Sequence, residues 1–142
     1  MSDLLDASVW VALSVPDHEH HRPALRYWEA QAADELLFCR VTALALLRYL
    51  TNPRILGDAA LDGKGGWRAL DTWLAVPRVA LLAEPAGIDE WLRQWGDQLD
   101  VRGGQWTDAY LAAFAAAGGY RLVAFDRDFY RYPGVEFLHL GH

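Results

Sequence analysis

Cysteine is almost missing from this chain: Cys39 stands alone among 142 residues. A single thiol closes no internal disulfide, and the count excludes a zinc site built on several thiolates. Set in Leu36-Leu37-Phe38-Cys39, it reads as a small buried hydrophobe. Long apolar runs are missing too. None approaches the ~18 residues that a membrane-spanning helix requires, and acids stand near the N-terminus where a secretory leader has a basic flank and an apolar core. These absences lead us to expect a cytoplasmic protein with no membrane contact. Basic residues are the minority, 13 Lys and Arg against 19 Asp and Glu, for a net charge of −6 and a pI near 5.2. That balance argues against non-specific binding to duplex nucleic acid, which runs on phosphate neutralisation. No repeat, low-complexity tract or linker divides the sequence, so one domain over residues 1–142 is expected.

Hydrophobic residues make up 53% and charged residues 23%, the composition of a folded protein with a core. Seven tryptophans are many for this length, and both core filling and an interface remain open for them. Leu4-Leu5 opens a short buried strand that ends at Asp6, and a helix follows through Val9 and Leu13. Asp17-His18-Glu19-His20-His21-Arg22-Pro23 is a polar turn, after which Leu25, Trp28 and Ala32 share a helix face. Residues 36–41 read as a second strand. Thr42 is the expected N-cap of a helix running to Leu50 and stopped by Thr51-Asn52-Pro53.

Gly63-Lys64-Gly65-Gly66 reads as a loop, with helical spacing of Trp67, Leu70, Trp73 and Leu74 beyond it. Residues 79–83 form a third strand, and Ile88, Trp91, Leu92 and Trp95 mark another helix. Thr107 is the expected cap of a helix that Gly118-Gly119 ends. Arg121 to Phe125 is a strand without alternation, as expected when both faces are covered in a parallel sheet. Residues 135–140 form a last edge strand. Alternating strands and helices predict an α/β three-layer sandwich around a mostly parallel sheet.

Three aspartates stand at informative places in that plan. Asp6 and Asp126 follow predicted strands, and Asp108 opens a helix. In parallel sheets, sites form outside the carboxyl ends of the strands. Each aspartate has a plain structural role open to it: Asp6 as a helix cap, Asp108 at a helix dipole, Asp126 as a turn residue. Three carboxylates on one edge repel one another, however, and a divalent cation relieves that repulsion. Mg²⁺ or Mn²⁺ held by oxygen ligands suits phosphodiester hydrolysis, in which the cation activates water and neutralises phosphate charge. The negative net charge does not oppose this, since the cation itself supplies the local positive field.

Other chemistries lack their motifs. His18, Glu19, His20 and His21 contain no His-Glu-x-x-His pattern and read as a surface turn. The glycines around Lys64 lack phosphate-loop spacing, and no Gly-x-Ser-x-Gly elbow occurs. A phosphatase of the haloacid-dehalogenase type requires a second aspartate two residues after the first, where this chain has Ser8.

Leu4-Leu5-Asp6-Ala7-Ser8-Val9-Trp10, Thr107-Asp108-Ala109-Tyr110-Leu111-Ala112 and Leu122-Val123-Ala124-Phe125-Asp126-Arg127-Asp128-Phe129, in this order, resemble the PIN-domain family. More narrowly they resemble the VapC-type ribonuclease toxins of toxin–antitoxin pairs. Arg40-Val41-Thr42 and Leu47-Arg48-Tyr49-Leu50-Thr51-Asn52-Pro53 are similar to one branch of that group. The resemblance spans essentially the whole chain. It implies a Mg²⁺-dependent endoribonuclease, an antitoxin partner, an RNA substrate and a homodimer. It also implies that Asp6 and Asp108 are the principal metal ligands, that Asp126 completes the catalytic pocket, and that Asp128 is auxiliary. Ser8 is placed near the metal or scissile phosphate. Arg48 has two readings, an RNA contact or a solvated helix residue. One departure stands out: many PIN domains carry a glutamate early in the helix after the second strand, and here Ala43 and Ala45 occupy the corresponding places. That absence motivates the alternative of a catalytically silent PIN-fold module that binds a regulatory partner.

Overall fold

The computed structural model describes residues 1–141. Five short strands, β1 (Ser2–Leu5), β2 (Glu35–Phe38), β3 (Val79–Leu81), β4 (Arg121–Ala124) and β5 (Phe137–His139), form one sheet. Their order is β3-β2-β1-β4-β5. Every neighbouring pair is parallel, so the sheet expected to be mostly parallel is wholly so. Helices α1 (Ala7–Ser14), α2 (His21–Ala30), α3 (Arg40–Leu50) and α5 (Gly63–Leu74) pack on one face, with the single-turn α4 (Pro53–Leu56) after α3. Helices α6 (Ile88–Leu99) and α7 (Gln105–Gly118) pack on the other. No described helix is long and apolar enough to cross a membrane.

Burial on both faces explains why the strands read as continuous apolar runs. Leu4 points into the layer of α6 and α7, and Leu5 into the layer of α1 and α3. Leu37 takes the first side while Leu36 and Phe38 take the second, and Val123 opposes Leu122 and Ala124 in the same way. From β1 the chain moves outward through β2 and β3, then returns to lay β4 against β1's other flank. The sheet therefore changes direction between β1 and β4, where a parallel sheet opens a crevice beyond its strand ends. Of the tryptophans, Trp10 and Trp95 are wholly buried, whereas Trp67 and Trp106 are 49% and 43% exposed.

Several boundaries differ from the sequence expectation, each for a local reason. The second strand stops at Phe38, and α3 already begins at Arg40. Thr42 lies inside its first turn, accepting from the Cys39 amide at 3.0 Å and donating to the Cys39 carbonyl at 3.1 Å. It caps from within the helix. Thr107 likewise lies inside α7, which starts at Gln105 after Gly103 turns the chain at φ +54°. Gly63-Lys64-Gly65-Gly66 is the first turn of α5, not a loop; Asp62 caps it, its Oδ1 accepting from the Gly65 amide at 2.8 Å. Gly66 is there for closeness, since a Cβ would lie 2.9 Å from Thr51 Cγ2 and 3.4 Å from Leu47 Cδ2. Cys39 is fully buried, as expected, and Gly119 supplies the left-handed stop of α7 at φ +72°.

The N-terminal end of β1 and β4 carries a charge that the sequence did not flag. Asp3 is fully buried. Arg121, its register partner on β4, grips it with Nε to Oδ1 at 2.8 Å and Nη2 to Oδ2 at 2.9 Å. The Tyr27 hydroxyl and the Ala33 amide also donate to Oδ2. Burial, then the Asp3 carboxylate, push the Tyr27 hydroxyl well above its ordinary range. Arg121 donates in addition to the Gln31 carbonyl at 2.9 Å, so the clamp ties two strands to the end of α2. Removing one partner strands a buried charge, at a cost of about 3–5 kcal/mol. Arg121→Met is therefore expected to lower unfolding free energy by roughly 3 kcal/mol in urea titrations. A change well under 1 kcal/mol would show that the clamp is dispensable.

Candidate active site

The opposite end of the same two strands holds the aspartates. β1 ends at Leu5, and the Asp6 amide continues the ladder by donating to the Val123 carbonyl at 2.9 Å. Asp6 then caps α1: Oδ2 accepts from the Ser8 hydroxyl at 2.7 Å and, more weakly, from the Ser8 amide at 3.4 Å. Beyond β4, Asp126 caps the 3₁₀ turn Arg127–Arg131, with Oδ1 accepting from the Asp128 amide at 2.8 Å. The structural roles open to Asp6 and Asp126 are thus both realised. Asp108 realises its role too, at the dipole of α7, but makes no cap. It sits in the first turn of α7, and no hydrogen bond contributes to its titration.

Electrostatics ties the group together. Burial pushes the Asp108 carboxyl up to about 6, and the charges of Asp6, Asp126 and Asp128 push it the same way. Asp6 is raised chiefly by burial and slightly by Asp126, against the lowering effect of the Ser8 bonds. The structure thus gathers Asp6, Asp108 and Asp126 on one edge, with Asp128 beside them. Among the described residues, no three His, Cys, Asp or Glu side chains converge tightly enough to form a closed ligand set. A cation here would rest on fewer protein oxygens, with water completing its shell. The donors fit such an ion: all are carboxylates, they repel one another, and two are partly desolvated.

The surroundings add what sequence reasoning missed. Ala7 and Ser8 border a cavity of about 400 Å³ between α1 and α3, lined further by His18, Arg48, Tyr49 and Asn52. Ala45 opens onto that cavity while Ala43 is buried in the core, so the acid-free face of α3 leaves space beside Ser8 and no negative charge. The histidine turn packs rather than floats: His20 stacks on Phe125 at 4.5 Å between ring centroids, and His21 Nδ1 lies 2.7 Å from the Ala12 carbonyl. It gathers no metal-binding group among the described residues. Glu84, beyond β3, lines another cavity with Arg40 and Tyr110. Burial and then the Glu84 charge push the Tyr110 hydroxyl up to about 12. The sequence singled out Ser8 and Arg48 but gave no sign that they share a cavity with His18 and Asn52, because the contacts cross elements far apart in the chain.

Comparison with known proteins places this geometry. The PIN domain family model matches residues 4–135. Ribonuclease VapC41 of Mycobacterium tuberculosis is 39% identical over 139 residues, covering 94% of each chain. Ribonuclease VapC37 of the same organism is 27% identical, covering 94% of this chain and 93% of its own length. Among solved structures, VapBC-1 from nontypeable Haemophilus influenzae superposes with a TM-score of 0.71 at 16% identity, covering 99% and 98% of the two chains. VapC20 of Mycobacterium tuberculosis, described as a Sarcin-Ricin loop cleaving toxin, superposes with a TM-score of 0.69 at 23% identity, covering 94% and 97%. At those identities the structural likeness speaks for the fold. The sequence match carries membership: the chain belongs to the PIN-domain family.

Proposed function

We propose that the chain is a divalent-metal-dependent endoribonuclease, the toxin of a toxin–antitoxin pair, acting in the cytoplasm. The observation that carries this reading is the gathering of Asp6, Asp108 and Asp126 beyond the β1–β4 crevice, where Asp108 is held at a raised pKa without a hydrogen bond to support it. The 39% identity to a ribonuclease supports the choice of RNA. Solved relatives that are VapBC complexes support an antitoxin partner, and a homodimer is the proposed assembly.

Asp6 and Asp108 would hold the ion, Mg²⁺ with Mn²⁺ as a substitute, and Asp126 would complete the pocket directly or through water, with Asp128 auxiliary. When bound, the ion supplies water activation and neutralises charge on the phosphate, giving 5′-phosphate and 3′-hydroxyl ends. Ser8 holds the Asp6 carboxylate in place through its 2.7 Å bond and faces the cavity where the strand would lie. Arg48 offers its guanidinium to a phosphate from the far wall. A second reading, the silent PIN-fold module, draws on the acid-free start of α3 and on the lack of a closed ligand set among the described residues.

Asp6→Asn or Asp108→Asn is expected to lower RNA cleavage by roughly 10³-fold, several kcal/mol of transition-state stabilisation at about 1.4 kcal/mol per tenfold, while the fold survives. Undiminished cleavage by either purified variant, with contaminating nuclease excluded, would sink this mechanism.

The raised pKa of Asp108 makes a second prediction about the metal-free chain. Its folded value of about 6 exceeds the ordinary carboxylate value, so the native state binds this proton more tightly than the unfolded chain does. Its stabilising contribution is complete at pH below the unfolded pKa and is lost as pH rises through about 6. Mg²⁺ binding requires the deprotonated form. Thermal scans should therefore show little Mg²⁺ stabilisation at pH 5 and a clear rise in Tm at pH 7.5, absent in Asp108→Asn. An equal Mg²⁺ shift at both pH values, or one surviving in Asp108→Asn, would contradict this. No metal effect on the original chain at either pH favours the silent module.

A further inference from the structure

The cavity beside Ser8 has a chemical character that the nuclease reading leaves unexplained. At about 400 Å³ it is within the usual size of small-ligand sites, roughly 300–1,000 Å³. It is lined by two aromatic rings, His18 and Tyr49, whose centroids lie 6.3 Å apart at 52°. Although the chain carries 19 acidic residues, none lines this cavity. Its polar groups present hydrogen-bond donors. Asn52 Oδ1 is committed to the Arg54 amide at 3.0 Å, so the side chain turns its NH₂ outward. His18 Nδ1 accepts from the His20 amide at 3.0 Å, which fixes the ring proton on Nε2 as a donor. Burial, then the charge of His20, keep the His18 pKa low and the ring neutral. Arg48 donates from every nitrogen.

We propose that this cavity receives one unstacked nucleobase of the RNA strand next to the scissile phosphate, and that it prefers the keto bases, uracil or guanine. The proposal rests on the nuclease reading and specifies its substrate. The base lies against Tyr49 and His18, the arrangement by which single-stranded RNA is held on aromatic side chains. Its acceptor atoms, O2 and O4 of uracil or O6 and N7 of guanine, take the hydrogen bonds of Asn52 Nδ2 and His18 Nε2. Adenine and cytosine would bring an exocyclic NH₂ against these donors and leave one pair unsatisfied. Arg48 pairs with the phosphate of the same nucleotide. Ser8 belongs to both places, bonded to Asp6 and facing the cavity, so the bound base lies one short reach from the proposed reacting phosphate.

The test measures binding and cleavage separately. Fluorescence anisotropy with the Asp108→Asn chain, in Mg²⁺ buffer, compares single-stranded octamers of uridine, alternating guanosine–uridine, adenosine and cytidine. The two keto-base octamers should bind about tenfold tighter than the others. Asn52→Asp keeps the oxygen that accepts from Arg54 but replaces the donors with an acceptor, and should erase this preference. Tyr49→Ala should weaken all four octamers about tenfold, the scale of one lost base stack, without altering their ranking. Urea midpoints near that of the parent chain verify that both variants fold.

Equal affinity for all four octamers, or a preference that Asn52→Asp leaves intact, overturns the base pocket. If the original chain still cleaves RNA in an Asp108-dependent way, the nuclease reading survives that result. Neither cleavage by the original chain nor binding of any octamer overturns both. Variants that leave RNA binding unchanged but weaken the cognate antitoxin would make the cavity a protein seat and also overturn the proposal.

Discussion

The register between β1 and β4 is the constraint on which the rest of this molecule depends. Asp3 is paired with Arg121, and Leu5 with Val123, so the same alignment sets both ends of the two strands. At one end it makes the buried clamp of Asp3, Arg121 and Tyr27. At the other it lets the Asp6 amide reach the Val123 carbonyl and sets Asp6 beside the chain that leads to Asp126. A slip by one residue would exchange the side chains that the slipped strand sends to the two helix layers. It would also part Asp3 from its guanidinium, leaving a buried carboxylate without a counter-charge. The clamp thus acts as a register lock at the opposite end of the strands from Asp6 and Asp126, which follow them.

At the other end the structure tolerates repulsion. Asp6 and Asp126 do structural work as caps, and their hydrogen bonds offset part of the cost of holding negative charge there. Asp108 has only the dipole of α7 in its favour, while burial and three neighbouring charges oppose its ionisation. A carboxylate whose ionisation is opposed by burial and by neighbouring charges is a common mark of a functional site. This is why the metal-binding reading is stronger for the cluster than for any one member, and why a closed ligand set is not needed to motivate it. A hard cation with a large share of water ligands relieves the same repulsion through fewer direct contacts.

The legibility of the sequence followed the range of the interactions. Non-alternating strands, the apolar helix faces and the aspartates at element ends could all be read, because each depends on neighbours a few residues away. The parallel sheet, the helices on both its faces and the placing of Asp6, Asp108 and Asp126 on one edge followed from these. Gly66 was misread since its reason is a contact with Thr51 and Leu47 across two helices, and composition alone suggests a loop. Thr42 and Thr107 were assigned as caps one turn too late, because a threonine inside the first turn looks the same in sequence as one at its start. Asp3 gave no signal at all: its partner lies 118 residues away. The cavity was invisible for the same reason, being assembled from α1, the histidine turn and α3.

The acid-free face of α3 joins these threads. A carboxylate at Ala45 would have added a further negative charge on the cavity wall next to Ser8, raising the repulsion already borne by Asp108 and opposing an incoming phosphate. With a methyl group there, the wall carries no negative charge, and its polar members, Arg48, Asn52 and His18, are free to donate. The missing acid therefore bears on two properties with opposite sign. It removes a ligand that a cation could use, and it removes a charge that a polyanion would meet. Read only through the metal, the substitution argues for a silent module. Read through the cavity as well, it is consistent with a site whose binding energy has moved from the ion toward the base and phosphate of the strand itself.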